Sequence, residues 1–259
     1  MERRKPRLYT FSPSGIAESK LFIDAYIASL TGVNDDFWEG HIGNSQIYSI
    51  RLSGQAIGLC GVYGQENLTF FYIEKALLRH AQPAFASMLK TLKPQYAFVP
   101  TNDELLMSLC MDRHVKIEMQ AYFFNLGCAA VRPPEYERSL LTLASPGDEA
   151  DILDKEGVAE NIALGKYYVM RKDGNFLGQG FFNKLTLMPN AASIGMSVHP
   201  DFRRRGVGRS IIMRLADICR EQGLTPHCGC WYYNHNSKAT LESAGFVTQT
   251  RLLKVWFIQ

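Results

Sequence analysis

Residues 194–219 read IGMSVHPDFRRRGVGRSIIMRLADIC and predict a strand, a glycine-bearing turn and a helix. Large apolar residues alternate with small ones up to Val198, and Pro200 ends the strand because it has no N–H for the ladder. Beyond the turn, apolar residues recur at helical spacing, and Gly223 follows where a helix often ends in positive φ. The predicted buried face consists of Ile211, Ile212, Leu215, Ala216 and Cys219.

The turn between this strand and this helix has the composition of an anion-binding loop. Gly206 and Gly208 carry no side chain where the first free N–H groups of the helix point outward, so an anion can approach the main chain. The arginines at 203, 204, 205 and 209 lie at the positive end of the helix dipole, which is unfavourable unless an anion binds there. We therefore expect a phosphate ligand. The alternative is a tight turn followed by a solvated basic helix start.

Two familiar phosphate loops do not fit this turn. A nucleotide P-loop needs Lys followed by Ser or Thr after its last glycine, whereas Arg209-Ser210 follows here. A dinucleotide fingerprint needs a third glycine and an acidic residue about twenty positions further on. The pattern Arg203-x-x-Gly206-x-Gly208, preceded by residues 198–202, closely resembles the coenzyme A pyrophosphate loop of the GNAT superfamily of N-acetyltransferases.

The residues after the loop extend this resemblance. A strand is predicted at 226–233, then a helix from residue 234 and a last strand at 250–257. The superfamily often shows an asparagine, a small residue three positions on, a tyrosine four further on, and then Gly-Phe. The matching residues here are Asn234, Ser237, Leu241, Gly245 and Phe246. Leu241 departs from the pattern, since many relatives protonate the leaving thiolate with a tyrosine there. A thiol with a pKa of about 8.5 leaves with little acid help, so this change need not abolish catalysis.

Composition and charge limit the class of protein. The chain has 259 residues, of which 46% are hydrophobic and 20% charged, and its net charge is +3. So small a basic surplus argues against nucleic-acid binding, and no apolar run reaches the length of a membrane span. We interpret the basic cluster at residues 3–7 as a solvated tail, because no apolar signal segment follows it. We expect a cytoplasmic protein and leave its oligomeric state open, a homodimer included.

The six cysteines, at 60, 110, 128, 219, 228 and 230, are scattered along the chain. In a long chain of this type we expect them to be reduced thiols. Cys228-Gly-Cys230 has His227 and His235 nearby and raises the question of a metal site. Because no second pair of ligands occurs at suitable spacing, we expect buried thiols and no metal.

The first 135 residues show the same order of predicted elements as the second half. They comprise a helical period at 11–30, strands at 46–52, 56–63 and 68–73, a helix at 74–92 interrupted near residue 83, a strand at 96–99, a helix at 102–112 and a strand at 116–125. The hairpin at 48–58 matches that at 168–178, including the turn glycine. Ser12-Pro13 and Ser145-Pro146 likewise open the two halves. Such self-similarity indicates a tandem repeat.

We therefore predict an α/β (α+β) fold with two tandem GNAT-like domains, each a mixed, mostly antiparallel twisted sheet flanked by helices. The linker at 127–145 contains two consecutive prolines and places the domains at 1–135 and 136–259. The first domain has no glycine where the second has its loop, and Glu74 would repel a phosphate. We expect it to support the second domain or shape the acceptor pocket. The predicted helical region at 148–164 usually lines the acceptor site in the superfamily.

The resemblance implies an N-acetyltransferase that uses acetyl-CoA as cosubstrate and needs no metal. A backbone N–H within 196–198 would stabilise the developing oxyanion, and the same strand would hold the pantetheine arm. The acceptor would be an amine of a small molecule or a peptide, with neither nucleic acid nor a membrane as partner. The residues implied for coenzyme A binding are Met196, Ser197, Val198, Arg203, Arg204, Arg205, Gly206, Val207, Gly208, Arg209, Ser210 and Asn234.

The acid and the base of the reaction are less evident. Tyr232 is our candidate catalytic acid, since it shares a strand face with Cys230, although a packing role explains it too; Tyr233 and His235 are the other candidates. No glutamate lies between residues 193 and 198, so the base is not visible and water is an alternative. Acyl groups longer than acetyl remain open.

Two other functions also remain open. A non-catalytic acyl-CoA sensor would explain the leucine at position 241 and the missing strand carboxylate. An enzyme acting on nucleotide phosphates would require ATP to compete with coenzyme A.

Overall fold

The computed structural model describes residues 9–127 and 132–258. The basic cluster at 3–7 and Cys128 lie outside these residues, so the interpretations of both stay predictions. The described part of the chain forms two compact units. The first comprises residues 9–32, 37–120 and 250–258, and the second comprises 33–36, 121–127 and 132–249.

The strands and helices alternate along the chain. In chain order the strands are β1 (Tyr9–Ser14), β2 (Gln46–Leu52), β3 (Gln55–Tyr63), β4 (Asn67–Ile73), β5 (Tyr96–Pro100), β6 (His114–Leu126), β7 (Leu141–Leu143), β8 (Tyr167–Lys172), β9 (Asn175–Lys184), β10 (Ala191–Val198), β11 (Thr225–Trp231) and β12 (Phe246–Phe257). The helices are α1 (Ile16–Ser29), α2 (Asp36–Gly43), α3 (Ala81–Leu92), α4 (Glu104–Met111), α5 (Val158–Ala163), α6 (Val207–Glu221) and α7 (His235–Ser243).

Each unit is built on a mixed, mostly antiparallel sheet, as predicted. Strand order in the first unit is β1-β2-β3-β4-β5-β12-β6, with β4 and β5 parallel. Strand order in the second unit is β12-β6-β11-β10-β9-β8-β7, with β10 and β11 parallel. Because β6 and β12 each contribute residues to both units, neither unit is one continuous segment of the chain, and the domain boundary at 135 stays a prediction.

Several predicted elements need correction. Residues 11–14, predicted as helix, belong to β1, and α1 starts only after Gly15, which is extended at φ −81° and ψ 157°. The predicted helix at 74–92 breaks at residue 80 between a 3-10 helix, Lys75–His80, and α3. Pro83 lies in the first turn of α3, where a missing N–H costs nothing. Helix α2 was missed because its eight residues are too short to show a clear period.

The segments around the second domain's start also differ from prediction. The expected linker contains the short strand β7, and of the predicted helical region at 148–164 only α5 is an α-helix. Gly157, at φ 58°, takes the left-handed conformation just before α5.

The repeated hairpins have matching turns. Ser53-Gly54 has φ values of 52° and 89°, and Asp173-Gly174 has 50° and 77°. Two successive positive φ values in a two-residue turn are typical of the type I′ hairpin, whose twist suits the flanking strands. The predicted equivalence of the two hairpins is confirmed.

The predicted equivalence of the two openings is wrong. Pro13 of β1 lies opposite Tyr48, whereas Leu143 of β7 lies opposite Tyr168. Since Tyr48 and Tyr168 are equivalent, Pro13 corresponds to Leu143 and not to Pro146.

Helix α6 is fixed against the second unit's sheet by its predicted face. Ile211, Ile212, Leu215, Ala216 and Cys219 are all at most 2% exposed, and the helix is followed by Gly223 at φ 71°. The helix packs closely against β9 because two positions of that strand are glycine. A Cβ on Gly180 would lie 2.8 Å from Leu215 Cδ1, and one on Gly178 would lie 3.3 Å from Ile211 Cδ1. The start of α6 is thereby held beside the end of β10.

Among residues 9–127 and 132–258, no helix is both long and apolar enough to cross a membrane.

Candidate active site

The parallel strands β10 and β11 separate part-way along their length. They pair only where residues 191–193 lie opposite 225–227. Beyond Ser193, within the described residues, β10 has no ladder partner on that side, and residues 195–198 are half-buried. Backbone N–H and C=O groups seek hydrogen bonds, so this stretch of β10 presents groups that a ligand can use.

A cleft of about 1150 Å³ opens at this separation. Its volume slightly exceeds the range of about 300–1,000 Å³ that is usual for small-molecule sites. Ten of the twelve residues predicted to bind coenzyme A line the cleft: Met196, Ser197, Val198, Arg203, Arg204, Gly206, Val207, Gly208, Arg209 and Asn234. The two parts of the predicted site, strand and loop, are therefore brought together.

The other two predicted residues lie beside the cleft. Arg205 is exposed, and its guanidinium is 5.5 Å from the centre of the Phe202 ring. Ser210 is buried, and its Oγ accepts hydrogen bonds from the N–H groups of Glu135 at 3.0 Å and Tyr136 at 3.2 Å. Ser210 thus anchors the interdomain segment to α6 and does not itself face the cleft.

The loop before α6 has a conformation suited to an anion. Arg204 and Gly206 are left-handed, at φ 60° and 77°, and Gly206 caps the helix. The first N–H groups of α6 have no partner within the helix, and the helix dipole adds positive potential there. The loop is therefore a backbone cradle at the positive end of a fifteen-residue helix.

Gly208 is required by close packing around this cradle. A Cβ there would lie 3.0 Å from Thr240 Cγ2, 3.2 Å from Val198 Cγ2 and 3.6 Å from Met196 Sδ. The glycine therefore lets β10, α6 and α7 approach one another at the cleft.

A carboxylate already lies in the cradle. The side chain of Glu135 forms an ion pair with Arg209, whose Nε is 3.2 Å from Glu135 Oε2, and Ser210 Oγ lies 3.5 Å from the same oxygen. A Cβ on Gly206 would overlap this carboxylate. The loop thus accepts an anionic group of this chain at the position where a phosphate was predicted, so its residues fit such a group.

Helix α7 forms the opposite wall of the cleft. Asn234 caps it, its side-chain oxygen accepting the N–H of Ser237 at 3.1 Å. Asn236, Ser237, Ala239, Thr240 and Ser243 face the cleft, whereas Leu241 is 2% exposed and packs in the core. The position that carries a tyrosine in many relatives therefore points away from the cleft in this chain.

Tyr232, the predicted catalytic acid, is not among the residues that line the cleft. Its ring stacks on Tyr122 with centroids 4.6 Å apart and an interplanar angle of 13°, and it packs against the core. This placement matches the packing alternative.

Of the two cysteines on β11, Cys228 is buried, as expected, whereas Cys230 is half-buried. Burial raises the pKa of the Cys230 thiol to about 11 and that of Cys228 well above its ordinary value, so both stay protonated at neutral pH. No group of three or more His, Cys, Asp or Glu side chains in residues 9–127 and 132–258 is arranged to hold a metal ion.

Sequence profiles identify both halves. The profile of the Acetyltransferase (GNAT) domain matches residues 16–126, and that of the Acetyltransferase (GNAT) family matches residues 135–246. The chain belongs to the GNAT acetyltransferase family. It contains two GNAT domains in tandem. No curated protein sequence matches it.

Solved GNAT structures share the fold over nearly the whole chain. A GNAT-family acetyltransferase from Colwellia psychrerythraea is 16% identical with a TM-score of 0.86, and the match covers 97% of this chain and 100% of that one. A tandem GNAT protein from the clavulanic acid biosynthesis pathway is 14% identical with a TM-score of 0.62, covering 96% and 98%. A GNAT protein from Sphaerobacter thermophilus is 13% identical with a TM-score of 0.62, covering 97% and 96%. At these identities the likeness establishes the fold.

Sequence reasoning missed Glu135 and the α7 residues Thr240 and Ser243 as parts of the GNAT cleft. Glu135 follows two prolines in a segment read only as linker, and nothing local indicates that its carboxylate meets α6. The two α7 residues could have been predicted, since Thr240 and Ser243 are three positions apart and share a face of a helix capped by Asn234.

Proposed function

We propose that this chain is an acetyl-CoA-dependent N-acetyltransferase whose second GNAT domain holds the cosubstrate in the cleft between β10 and α7. The observation that carries the proposal is the Glu135 carboxylate in the cradle of Gly206 and Arg209. It supports an anion site at the start of α6, where the pyrophosphate of coenzyme A would bind.

The residues at each end of the cleft suit different parts of this cosubstrate. The α6 N–H groups with Arg204 and Arg209 would hold phosphates, which requires Glu135 to move aside. The free edge of β10 at 196–198 would hydrogen-bond the amides of the pantetheine arm, and Asn234 lies across from it.

Acetyl-CoA supplies an activated thioester when bound. A backbone N–H of 196–198 would donate to the carbonyl oxygen as negative charge develops on it. The acceptor amine must lose a proton before it attacks, because an alkylammonium has a pKa of about 10.4. Ser197 of β10 lines the cleft, and its hydroxyl would pass that proton to water.

The test is acetyl-CoA binding by calorimetry, together with thiol release in the presence of a panel of amines and peptides. We compare Gly206→Glu with Gly174→Glu, because both glycines have φ of 77° and the latter lies in a hairpin turn with open space around it. Both substitutions strain the backbone equally, but only Gly206→Glu places a second carboxylate in the cradle. We expect it to lower affinity at least tenfold while Gly174→Glu binds normally. Equal affinities in the two variants would refute the phosphate-loop assignment.

Thiol release that requires one class of amine would support the transferase. Tight binding without release would instead favour a non-catalytic acyl-CoA sensor. A small-molecule or peptide acceptor, the absence of nucleic acid as a partner and a cytoplasmic location remain predictions from the sequence.

A further inference from the structure

The face of β10 turned away from α6 leads from the cleft to a cluster of polar groups. Ser193, Gly195 and Ser197 occupy this face, because Ala192 and Ile194, on either side of Ser193, pack with α6 in the core. On the neighbouring β11, His227 lies opposite Ser193, so its side chain is on the same face, and Gly229 follows two residues on.

Two consecutive carboxylates meet this face. Asp36 Oδ1 accepts a hydrogen bond from Ser193 Oγ at 2.6 Å. The Asp35 carboxylate, 6% exposed, lies so close to Gly229 that a Cβ there would overlap it. Residues 33–36 belong to the second unit although they precede it by more than eighty positions in the chain, so these carboxylates and the cleft are parts of one compact unit.

Two buried polar side chains in this region have no partner among the described residues. His227 is 5% exposed, and neither ring nitrogen is hydrogen-bonded. Asn34 is 1% exposed, and neither its amide oxygen nor its amide nitrogen is bonded. Leaving a buried polar group unpaired costs about 1–3 kcal/mol, so such groups commonly mark the position of a ligand or water.

These groups would favour a positively charged ligand. Burial lowers the pKa of His227 to about 4, so at neutral pH its imidazole carries no charge to repel a cation and can accept a hydrogen bond. Among residues 9–127 and 132–258, no lysine or arginine forms an ion pair with Asp36.

The strand between the carboxylates and the cleft has no side chain at Gly195, which is half-buried. A Cβ on Gly195 would meet nothing closer than Phe181 Cβ at 3.9 Å. Ser197, two residues further on, lines the cleft. Since a strand rises about 3.3 Å per residue, Gly195 is about 7 Å and Ser197 about 13 Å along the strand from Ser193.

We propose that the acceptor is a small aliphatic diamine or polyamine, bound by Asp35 and Asp36 through one ammonium group while its other nitrogen lies over Gly195 and reaches the thioester. This inference rests on the proposed function. In the reaction the reaching nitrogen loses one proton to water, then bonds to the acyl carbon as the carbon–sulfur bond breaks. Its second proton ends on the leaving thiol, giving an amide and free coenzyme A. The ammonium at the carboxylates is unchanged.

The test is calorimetry with butanediamine and with 1,4-butanediol, which has the same carbon chain but carries hydroxyl groups in place of the ammonium groups. Wild-type protein should bind butanediamine at least tenfold more tightly, with or without coenzyme A present. Asp36→Asn should lose about 10- to 100-fold in affinity for the diamine, the equivalent of one hydrogen bond to a charged group, and leave the weaker binding of butanediol unchanged. Asp24→Asn, which removes a carboxylate from an exposed pair with Lys20 on α1, is the matched control and should bind as wild type.

Gly195→Val provides a second variant that leaves both carboxylates in place. It fills the open space on β10 and should weaken diamine binding while acetyl-CoA binding persists. Equal affinity of wild type for butanediamine and butanediol, or undiminished diamine binding by Asp36→Asn, would overturn the proposal. If wild type did not bind acetyl-CoA, the proposed function would be overturned instead. The diamine titration without coenzyme A distinguishes that failure from a failure of the acceptor proposal.

Discussion

Glu135 occupies the position predicted for a phosphate, so removing its charge should tighten coenzyme A binding. Glu135→Gln keeps the size of the side chain and the Ser210 anchor of the linker backbone, but it abolishes the ion pair with Arg209. In the free protein of this variant, Arg209 has no ion pair that must break before it binds a phosphate. The substitution raises the free energy of the free state and leaves the bound state nearly unchanged.

The magnitude follows from the exposure of the pair. A hydrogen bond to a charged group is worth about 1.5–3 kcal/mol when shielded from water. The Arg209 side chain is 13% exposed, but that of Glu135 is 39% exposed, so solvent screening reduces the value to about 1–2 kcal/mol. That difference corresponds to about 5- to 30-fold tighter binding.

The assay is calorimetric titration of wild type and Glu135→Gln with coenzyme A at low and at high salt. Glu137→Gln is the matched control, since Glu137 is an exposed glutamate of the same segment two residues away. The gain should shrink with added salt, because the competing interaction is ionic. Unchanged or weaker binding by Glu135→Gln would show that its carboxylate does not compete with the ligand.

Two further predictions concern stability. Burial lowers the pKa of His227 from 6.5 to about 4, so its contribution to stability is present above pH 6.5 and is lost as pH falls toward 4. In urea unfolding between these pH values, wild type should lose up to about 3 kcal/mol more stability than His227→Gln does. Asp103 is 4% exposed, caps α4 by accepting the N–H of Leu106 at 2.9 Å, and accepts a hydrogen bond from Tyr26 Oη–H at 3.0 Å. Asp103→Ala should therefore destabilise the first unit by about 1–3 kcal/mol in urea unfolding. The affinity for acetyl-CoA should not change, and a large loss of affinity would contradict this local role.

The central elements of the fold were predictable because their signals are local. The change from strand to helix around Gly206, the apolar face of α6 and the two hairpin turns each depend on residues close together in the chain. Sequence reasoning failed where pairing with a distant segment decides the structure. Residues 11–14 become a strand by pairing with β2, although their own pattern continues into the helix that follows.

The site shows the same division. The loop and the strand β10 were predicted because a backbone cradle needs glycines at set positions. The orientation of Leu241 was not, since a helix pattern alone does not state which neighbouring position faces a cleft. In the structure Thr240 faces the cleft and Leu241 the core.

The groups that would recognise the donor and those that would recognise the acceptor thus differ in how far apart they lie in the sequence. Coenzyme A would be held mainly by main-chain N–H groups, and main-chain recognition requires only glycines and a helix start, which any member of the family can carry in one short motif. An acceptor must be selected by side chains, and here the carboxylates that meet β10 and β11 come from residues 35 and 36, far from either strand in sequence. A short motif can therefore indicate the donor, whereas the acceptor depends on contacts that only the folded chain brings together.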